Sequence, residues 1–273
     1  AVLPAYLRRE HAFFVGLASD MLMTRRSVVV LHDIRPLVMD TDRGFFRFKF
    51  WVHCLSTKWF AQRVFTVSYD QRQLIHDKLG IPLDKIGVTY NGWEHMAKVQ
   101  PDESIFERMP AVKKGEYFYA LGSLAGHKNF KWIREVARRN PDKTFVVAGG
   151  KDLRAFGDDT EAKDTHNVFY PGYVSDAENA ALMKHCRLFL HPAVFEGFGI
   201  PPLEAAACGA PQIIVSDTPC MREVYGPCAA YIDLTANPGD VDDVTPATAP
   251  TAALLEKYSW DKSAERLLQI LEK

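Results

Sequence analysis

The sequence contains no run approaching the roughly 20 uninterrupted apolar residues that a membrane-spanning helix needs. No secretory signal opens it either: AVLPAYLRREHAFFVGLASDMLM lacks a basic leading region and a small-residue cleavage site, and charges interrupt its apolar stretch. Cysteine is scarce and scattered. The five, Cys54, Cys186, Cys208, Cys220 and Cys228, show no C-x-x-C spacing and no histidine array nearby. Neither a disulfide framework nor a zinc site is suggested, and the thiols read as reduced and cytosolic. No charge excess stands out: 33 Lys and Arg against 34 Asp and Glu, a net −1, create no global field to recruit nucleic acid or a membrane. Internal repeats and low-complexity tracts are missing as well. A cytoplasmic protein is the expectation.

What is present is ordinary globular composition, 47% hydrophobic and 25% charged, and 273 residues suit two medium domains. Short apolar runs alternate with amphipathic ones. SVVVLHD (27–33), RVFTVS (63–68) and KIGVTYNG (85–92) read as buried strands. After residue 110 come EYFYALGS, KTFVVAGG, HNVFYPGY, RLFLHPA, PQIIVSD and CAAYIDL. Between these, NFKWIREVARRN, DAENAALMKHC and PPLEAAACG have helical spacing. Such alternation implies an α/β protein with parallel sheets covered on both faces. The polar stretch EHMAKVQPDESIFERMPAVKKGE, following Asn91 and Gly92, reads as a linker. The expected division is a first domain over 1–105, a second over 106–258 and a closing helix over 259–273. Ser259 is placed to cap that helix, whose apolar face would carry Trp260, Ala264, Leu267, Leu268 and Leu271. The first half supplies only three strands.

The most informative stretch is FEGFGIPPLEAAACGAP, 195–211, which follows the strand of RLFLHPA. Ligands of open α/β sheets bind at the carboxyl ends of strands. Gly197 and Gly199 remove Cβ atoms on both sides of Phe198, letting backbone amides approach a ligand. Pro201 and Pro202 fit a first helical turn, LEAAAC continues the helix, and Gly209 with Pro211 ends it. Glu196 then lies just before the turn and Glu204 within the first helical turns. A helix N-terminus there favours an anion such as diphosphate, and two carboxylates beside it suit vicinal hydroxyls of a sugar or ribose. An isolated glutamate pair also admits a surface-loop and helix-cap role, or a glycosidase acid/base pair.

EGFGIPPLEAAACGAPQIIVSD resembles the E-x7-E signature of retaining nucleotide-sugar glycosyltransferases of family 4, the group 1 type. YALGSLAGHKNFKWI resembles that family's phosphate loop, and VFYPGYVSDAENAALMKHC its nucleobase-side strand and helix. VVVLHDIRPL resembles the acceptor-domain strand with its histidine, VTYNGWEHM the strand end before the hinge, and YSWDKSAERLLQIL the terminal helix. The resemblance implies the GT-B fold, two Rossmann-like domains facing a cleft, here with an incomplete N-terminal domain because relatives place further strands before the histidine strand.

It further implies transfer of a sugar from a nucleoside diphosphate to a saccharide or lipid-linked acceptor, with retention, in surface polysaccharide or glycolipid assembly. By the same resemblance Glu196, Lys128 and His32 are the catalytic candidates. Gly122, Ser123, Lys128, Tyr173, Val174, Glu196, Gly197, Phe198, Gly199 and Glu204 would bind the donor. Glu196 would hold the sugar, Glu204 the ribose diol, and Tyr173 with Val174 the base. Relatives often carry arginine where Ser123 stands, which leaves Lys128, with His127, as the main cation. Asn129 would cap the following helix, and Asp33 would either fix the His32 tautomer or cap the next turn. Ser68 and Asn91, at strand ends, are weaker candidates. No cofactor and no metal are expected. A nucleotide-sugar-binding module with little transferase activity is the alternative.

The segment from Arg43 to Arg63, RGFFRFKFWVHCLSTKWFAQR, carries five Arg or Lys, no acid and many aromatics. That pattern suits a membrane-interface helix, and so a peripheral position at the inner face of the membrane; a core helix with solvated basic residues, or one facing a missing part of the fold, has the same composition.

Overall fold

A computed structural model describes residues 2–17, 24–25, 27–39, 44–122, 126–149, 165–236, 239 and 241–271. These residues form two compact units, one of 1–91, 196–198 and 260–273, the other of 92–195 and 199–259. Residues 92–105 thus pack with the second unit, although the sequence places them in the first domain. Asp102 donates its N–H to the Ala177 carbonyl at 2.9 Å, which fastens the presumed linker to that unit.

The first unit begins with α1 (Val2–Arg9), β1 (Phe14–Gly16), β2 (Ser27–Val30), α2 (Arg35–Val38) and α3 (Phe45–Phe60). It continues through β3 (Arg63–Thr66), α4 (Tyr69–Leu79) and β4 (Ile86–Val88). Its four strands pair in parallel in the order β1-β2-β3-β4, one strand more than the sequence reading supplies. Two observations explain why these elements form. Ser68 caps α4 by accepting the Gln71 N–H, and Gly80 closes it with φ 63, a left-handed conformation open to glycine. All four residues of β2 are buried, as a strand covered on both faces requires. One face of the sheet packs Val29, Leu31, Val64 and Ile86 against Cys54 of α3 and Ile75 and Leu79 of α4. Burying aliphatic side chains of this size stabilises by about 1.5–3 kcal/mol each.

The second unit runs α5 (Glu94–Ala97), β5 (Tyr117–Leu121), α6 (Phe130–Arg139), β6 (Thr144–Ala148), β7 (Val168–Gly172), α7 (Asp176–His185) and β8 (Leu188–His191). Then follow α8 (Ile200–Ala207), β9 (Ile213–Ser216), α9 (Pro219–Tyr225), β10 (Ala230–Ile232) and α10 (Ala253–Lys257). Six parallel strands take the order β10-β9-β8-β5-β6-β7. Ser175 and Glu178 form a reciprocal capping box on α7, and Thr218 caps α9 just before Pro219. The core stacks Phe118 on Phe145 at 5.1 Å and covers them with Ile133, Val136 and Ala137 of α6.

The chain closes with α11 (Trp260–Leu271) in the first unit. Its packed face differs from the expected one. Leu267 and Ile270 lie on Val28, Val30 and Phe65, and Ser263 is buried beside them. Ser263 donates to the Tyr90 carbonyl, and its own carbonyl accepts from Thr89 Oγ1 at 3.0 Å. Leu268 is more than half exposed and Trp260 is 41% exposed. The helix is rotated because two polar anchors at the end of β4, Thr89 and Tyr90, capture Ser263.

Candidate active site

In the second unit β5 neighbours both β8 and β6. The chain leaves β5 toward β6 and β7 on one side, then returns through β8 to β9 and β10 on the other. That makes the carboxyl ends of β5 and β8 the topological switch point, where open α/β sheets bind ligands. The two loops singled out in the sequence, after β5 and after β8, are the ones that meet there. The Val194 N–H donates to the His127 carbonyl at 2.8 Å and ties them together.

The β5 loop is built for close backbone approach. A Cβ at Gly149, whose φ is +115, would collide with the Gly122 carbonyl oxygen, so the ends of β5 and β6 touch. The stem of Lys128 lies 3.5 Å from the position a Cβ on Gly122 would take. Its ammonium is carried by a 3-10 turn, Gly126–Lys128, directly before α6. Asn129 precedes α6 with φ 55 and makes no side-chain cap, contrary to its expected role. A left-handed N-cap turns the Asn129 side chain away from the amides it was expected to satisfy. Ser123 lies outside the described residues.

The β8 loop leads into α8 through Gly199, whose φ of 79 suits glycine. A Cβ there would come 2.7 Å from Met221 Cε, and the Gly199 carbonyl accepts a hydrogen bond from Tyr225 Oη. Pro201 and Pro202 occupy the first turn, and Gly209, φ 89, follows the last. The two prolines remove two of the amide donors that an anion at this N-terminus would use, leaving the dipole and shifting direct donation toward Lys128. Glu204 is half-buried on α8, and its Oε1 meets His95 Nε2 at 2.9 Å. An ionised carboxylate has about four acceptor positions, so a diol can still be received. Burial, and secondarily the Glu204 charge, push the Cys208 thiol up to about 11.

Tyr173 and Val174 follow β7, the edge strand two places from β5. Tyr173 is exposed and Val174 buried, so the first presents a surface and the second packs.

The remaining candidates belong to the first unit. His32 follows β2, and its Nε2 lies 2.7 Å from the Leu17 carbonyl. A carbonyl only accepts, so Nε2 is the donor in this contact. Asp33 Oδ1 accepts the Arg35 N–H at 2.9 Å, a local contact just before α2, whose N-cap is Ile34. Gly197 packs on the His32 backbone so closely that a Cβ would overlap the His32 carbonyl oxygen. The buried Ser68 Oγ donates to the Gly197 carbonyl at 2.7 Å, and Gln71 Nε2 to the Glu196 carbonyl at 3.4 Å. Phe198 is buried against Tyr90, with ring centroids 6.2 Å apart. Asn91 is buried at the end of the β4 segment. Glu196, Gly197 and Phe198 are therefore anchored by residues from the carboxyl ends of β2, β3 and β4.

Sequence reasoning missed His95, Tyr225 and Gln71. Their partners lie 109, 26 and 125 residues away, beyond any local spacing signal. Among the described residues no group of three His, Cys, Asp or Glu is placed to hold a metal.

The family model for glycosyl transferases group 1 matches residues 101–273, which contain both loops of the switch point. The chain belongs to that family. It is 30% identical over 227 residues to the O-antigen chain mannosyltransferase RfbU of Salmonella typhimurium, covering 80% of this chain and 58% of the relative. It is 26% identical over 270 residues to the O-antigen chain mannosyltransferase B of Escherichia coli, covering 86% and 67%. The chain thus spans about six-tenths of the Salmonella relative's length. In fold it matches Anabaena Alr3699/HepE in complex with UDP and glucose, with TM-score 0.66, 19% identity and coverage of 90% of this chain and 70% of that one. Two parallel sheets in this arrangement of elements are the GT-B architecture.

Proposed function

We propose that this group 1 family member transfers a sugar, with retention, from a nucleoside-diphosphate sugar to a saccharide or lipid-linked acceptor in surface polysaccharide assembly. The observation that carries the reading is the switch point of the second unit. There a lysine-bearing turn after β5 and a glutamate-bearing helix after β8 are tied by the Val194–His127 hydrogen bond. A donor has two groups that such a site recognises. The diphosphate takes Lys128, and the ribose diol takes Glu204, steadied by His95.

The costly step is departure of the diphosphate. The bond between the anomeric carbon and the phosphate oxygen breaks, the acceptor oxygen bonds to the same face, and its proton leaves with the diphosphate. Negative charge grows on the departing oxygen, where Lys128 stabilises it; fixed donors of this kind are usually the largest catalytic term. Glu196 would hold hydroxyls of the transferred sugar, and His32 would serve as a polar contact to it. Both roles come from the family resemblance. Lysine and helix dipoles supply the charge balance without a divalent ion in this reading.

The relatives named as mannosyltransferases favour mannose as the first sugar to test. The assay supplies GDP-mannose or UDP-glucose with mannose-terminated and polyprenyl-diphosphate-linked acceptors and reads the anomeric configuration of the product by NMR. A product with the donor's own configuration is expected. An inverted product would overturn the retaining mechanism, and saturable nucleotide-sugar binding without product would favour a binding module. Peripheral contact with a membrane through residues 43–63 belongs to the same reading.

A further inference from the structure

The second unit has a cavity of about 320 Å³ for which the proposed reaction has no use. It lies at the carboxyl end of β10, the edge strand three places from β5, and so away from the switch point. Its floor is made by Trp132, Ile232 and Val241, all buried in the core that α6 shares with the sheet. Its rim carries the exposed Asp233, Asp243 and Thr245. The volume falls in the range of small-ligand pockets, whose usual make-up is an apolar lining with a few polar groups.

Two observations narrow what fits. Trp132 is 9% exposed, and its buried indole N–H has no hydrogen-bond partner. Buried polar groups are nearly always paired, so this donor calls for an acceptor. The rim calls for the opposite. Asp233 Oδ1 accepts from the Thr235 hydroxyl at 2.6 Å and the Thr235 N–H at 2.8 Å, which hold its carboxyl below the ordinary value. An ionised carboxylate has about four acceptor positions, so it can still receive a ligand's hydroxyls.

No Lys or Arg is among the described residues that line the cavity. The cations beside it are engaged: Arg222, stacked on Tyr231, donates to both oxygens of Asp217, and Lys143 and Arg187 pair with Asp242. An anion is therefore repelled, an apolar group leaves the indole N–H unpaired, and an ammonium ion cannot accept from it. Among the described residues no three His, Cys, Asp or Glu are placed to hold a metal. A hydroxyl both donates and accepts, and a sugar ring carries several around an apolar C–H face.

We propose that this cavity is a second saccharide site, taking a neutral hexose unit with one hydroxyl accepting from Trp132 and others donating to Asp233 and Asp243. The chemistry of the cavity alone carries this site, so it stands or falls independently of the donor assignment. A free monosaccharide and a unit of a glycan chain offer the same groups, and the test separates them.

The readout is the set of indole N–H signals of the five tryptophans in a proton–nitrogen correlation spectrum, recorded with UDP or GDP present to occupy the donor site. Trp132→Phe assigns the Trp132 signal while keeping an aromatic ring in the core. Methyl α-mannoside, methyl α-glucoside and mannotriose are titrated, with glucosamine and glucuronate as charged comparisons. A saturable downfield shift of the Trp132 signal alone is expected, with a dissociation constant on the order of 1 mM for a ligand of this size. By saturation transfer to the sugar, Trp132→Phe should weaken binding about two- to tenfold, and Asp233→Asn/Asp243→Asn by about tenfold or more, with circular dichroism unchanged. Tighter binding of mannotriose would support a glycan chain as the source, and equal binding a single hexose. A Trp132 signal that no neutral sugar moves in folded protein would overturn the proposal and leave the indole N–H to water. Glucosamine binding more tightly than the neutral sugars, lost in the double variant and kept in Trp132→Phe, would overturn the ligand class.

Discussion

Gly197→Ala tests the anchoring of the glutamate segment, because the structure leaves its Cβ no room. The added carbon would fall inside 3.0 Å of the His32 carbonyl oxygen, where side-chain carbons essentially never lie. It would also stand 3.2 Å from Asp33 Cβ and 3.3 Å from the His32 carbonyl carbon. These are mostly backbone atoms at the end of β2, so no flexible side chain can swing aside. Gly197 is not at a positive φ, so the penalty is overlap and not backbone strain. Inserting a methyl into a packed site costs about 1–3 kcal/mol. Relief requires the 196–198 segment to move, lengthening the Ser68 and Gln71 hydrogen bonds that hold it. Gly209→Ala is the control: its φ is +89, but nothing lies within 4 Å of the added carbon, so only the strain of about 1 kcal/mol applies. Urea unfolding of both variants, followed by far-UV circular dichroism with equal m-values, reads the difference. Gly197→Ala is expected to lower the midpoint at least as much as Gly209→Ala and also to abolish transfer. Wild-type stability and wild-type transfer in Gly197→Ala would refute the packing argument.

Glu204→Ala should weaken nucleotide binding by about 10- to 150-fold, the worth of a hydrogen bond to a charged group, with His95→Ala losing less; calorimetric titration checks both. Lys128→Ala should weaken a nucleoside diphosphate while leaving the nucleoside unchanged, measured by the same titrations. The carboxyl of Glu103 is held down to about 2, first by its hydrogen bond from Lys114 and then by that from His185. Its contribution to stability is therefore complete above its ordinary value of 4.5 and lost as the pH falls toward 2. Unfolding midpoints between pH 6 and about 2.5 should accordingly converge for wild type and Glu103→Gln at the acid end.

The strands were legible because parallel sheets bury both faces, so SVVV, TFVVA, LFLH and IIVS stand out as continuous apolar runs. β1 was not, since Phe14–Gly16 is three residues long and its middle residue, Val15, is exposed. α4 lacks a strong apolar period and is held by its Ser68 cap and by Ile75 and Leu79 in the core. The glutamate loop was legible as a site through its glycines and prolines, but not in its mechanics. Nothing local says that Gly197 must pack on His32, or that Glu204 meets His95. The packed face of α11 lies one position from its apolar period because Ser263, a polar residue, is the one drawn inward.

The most direct measurement is thermal stability of the wild type and Glu204→Ala against UDP, GDP, ADP and dTDP, with and without their sugars. A ligand at 100 times its dissociation constant adds about 2.7 kcal/mol, a shift of several degrees. A base-selective shift in the wild type that is lost in Glu204→Ala is the predicted result, and it names the nucleotide for the transfer assay. Equal shifts in both proteins, or none with any nucleotide in folded protein, would contradict the assignment of the β5–β8 switch point as the donor site.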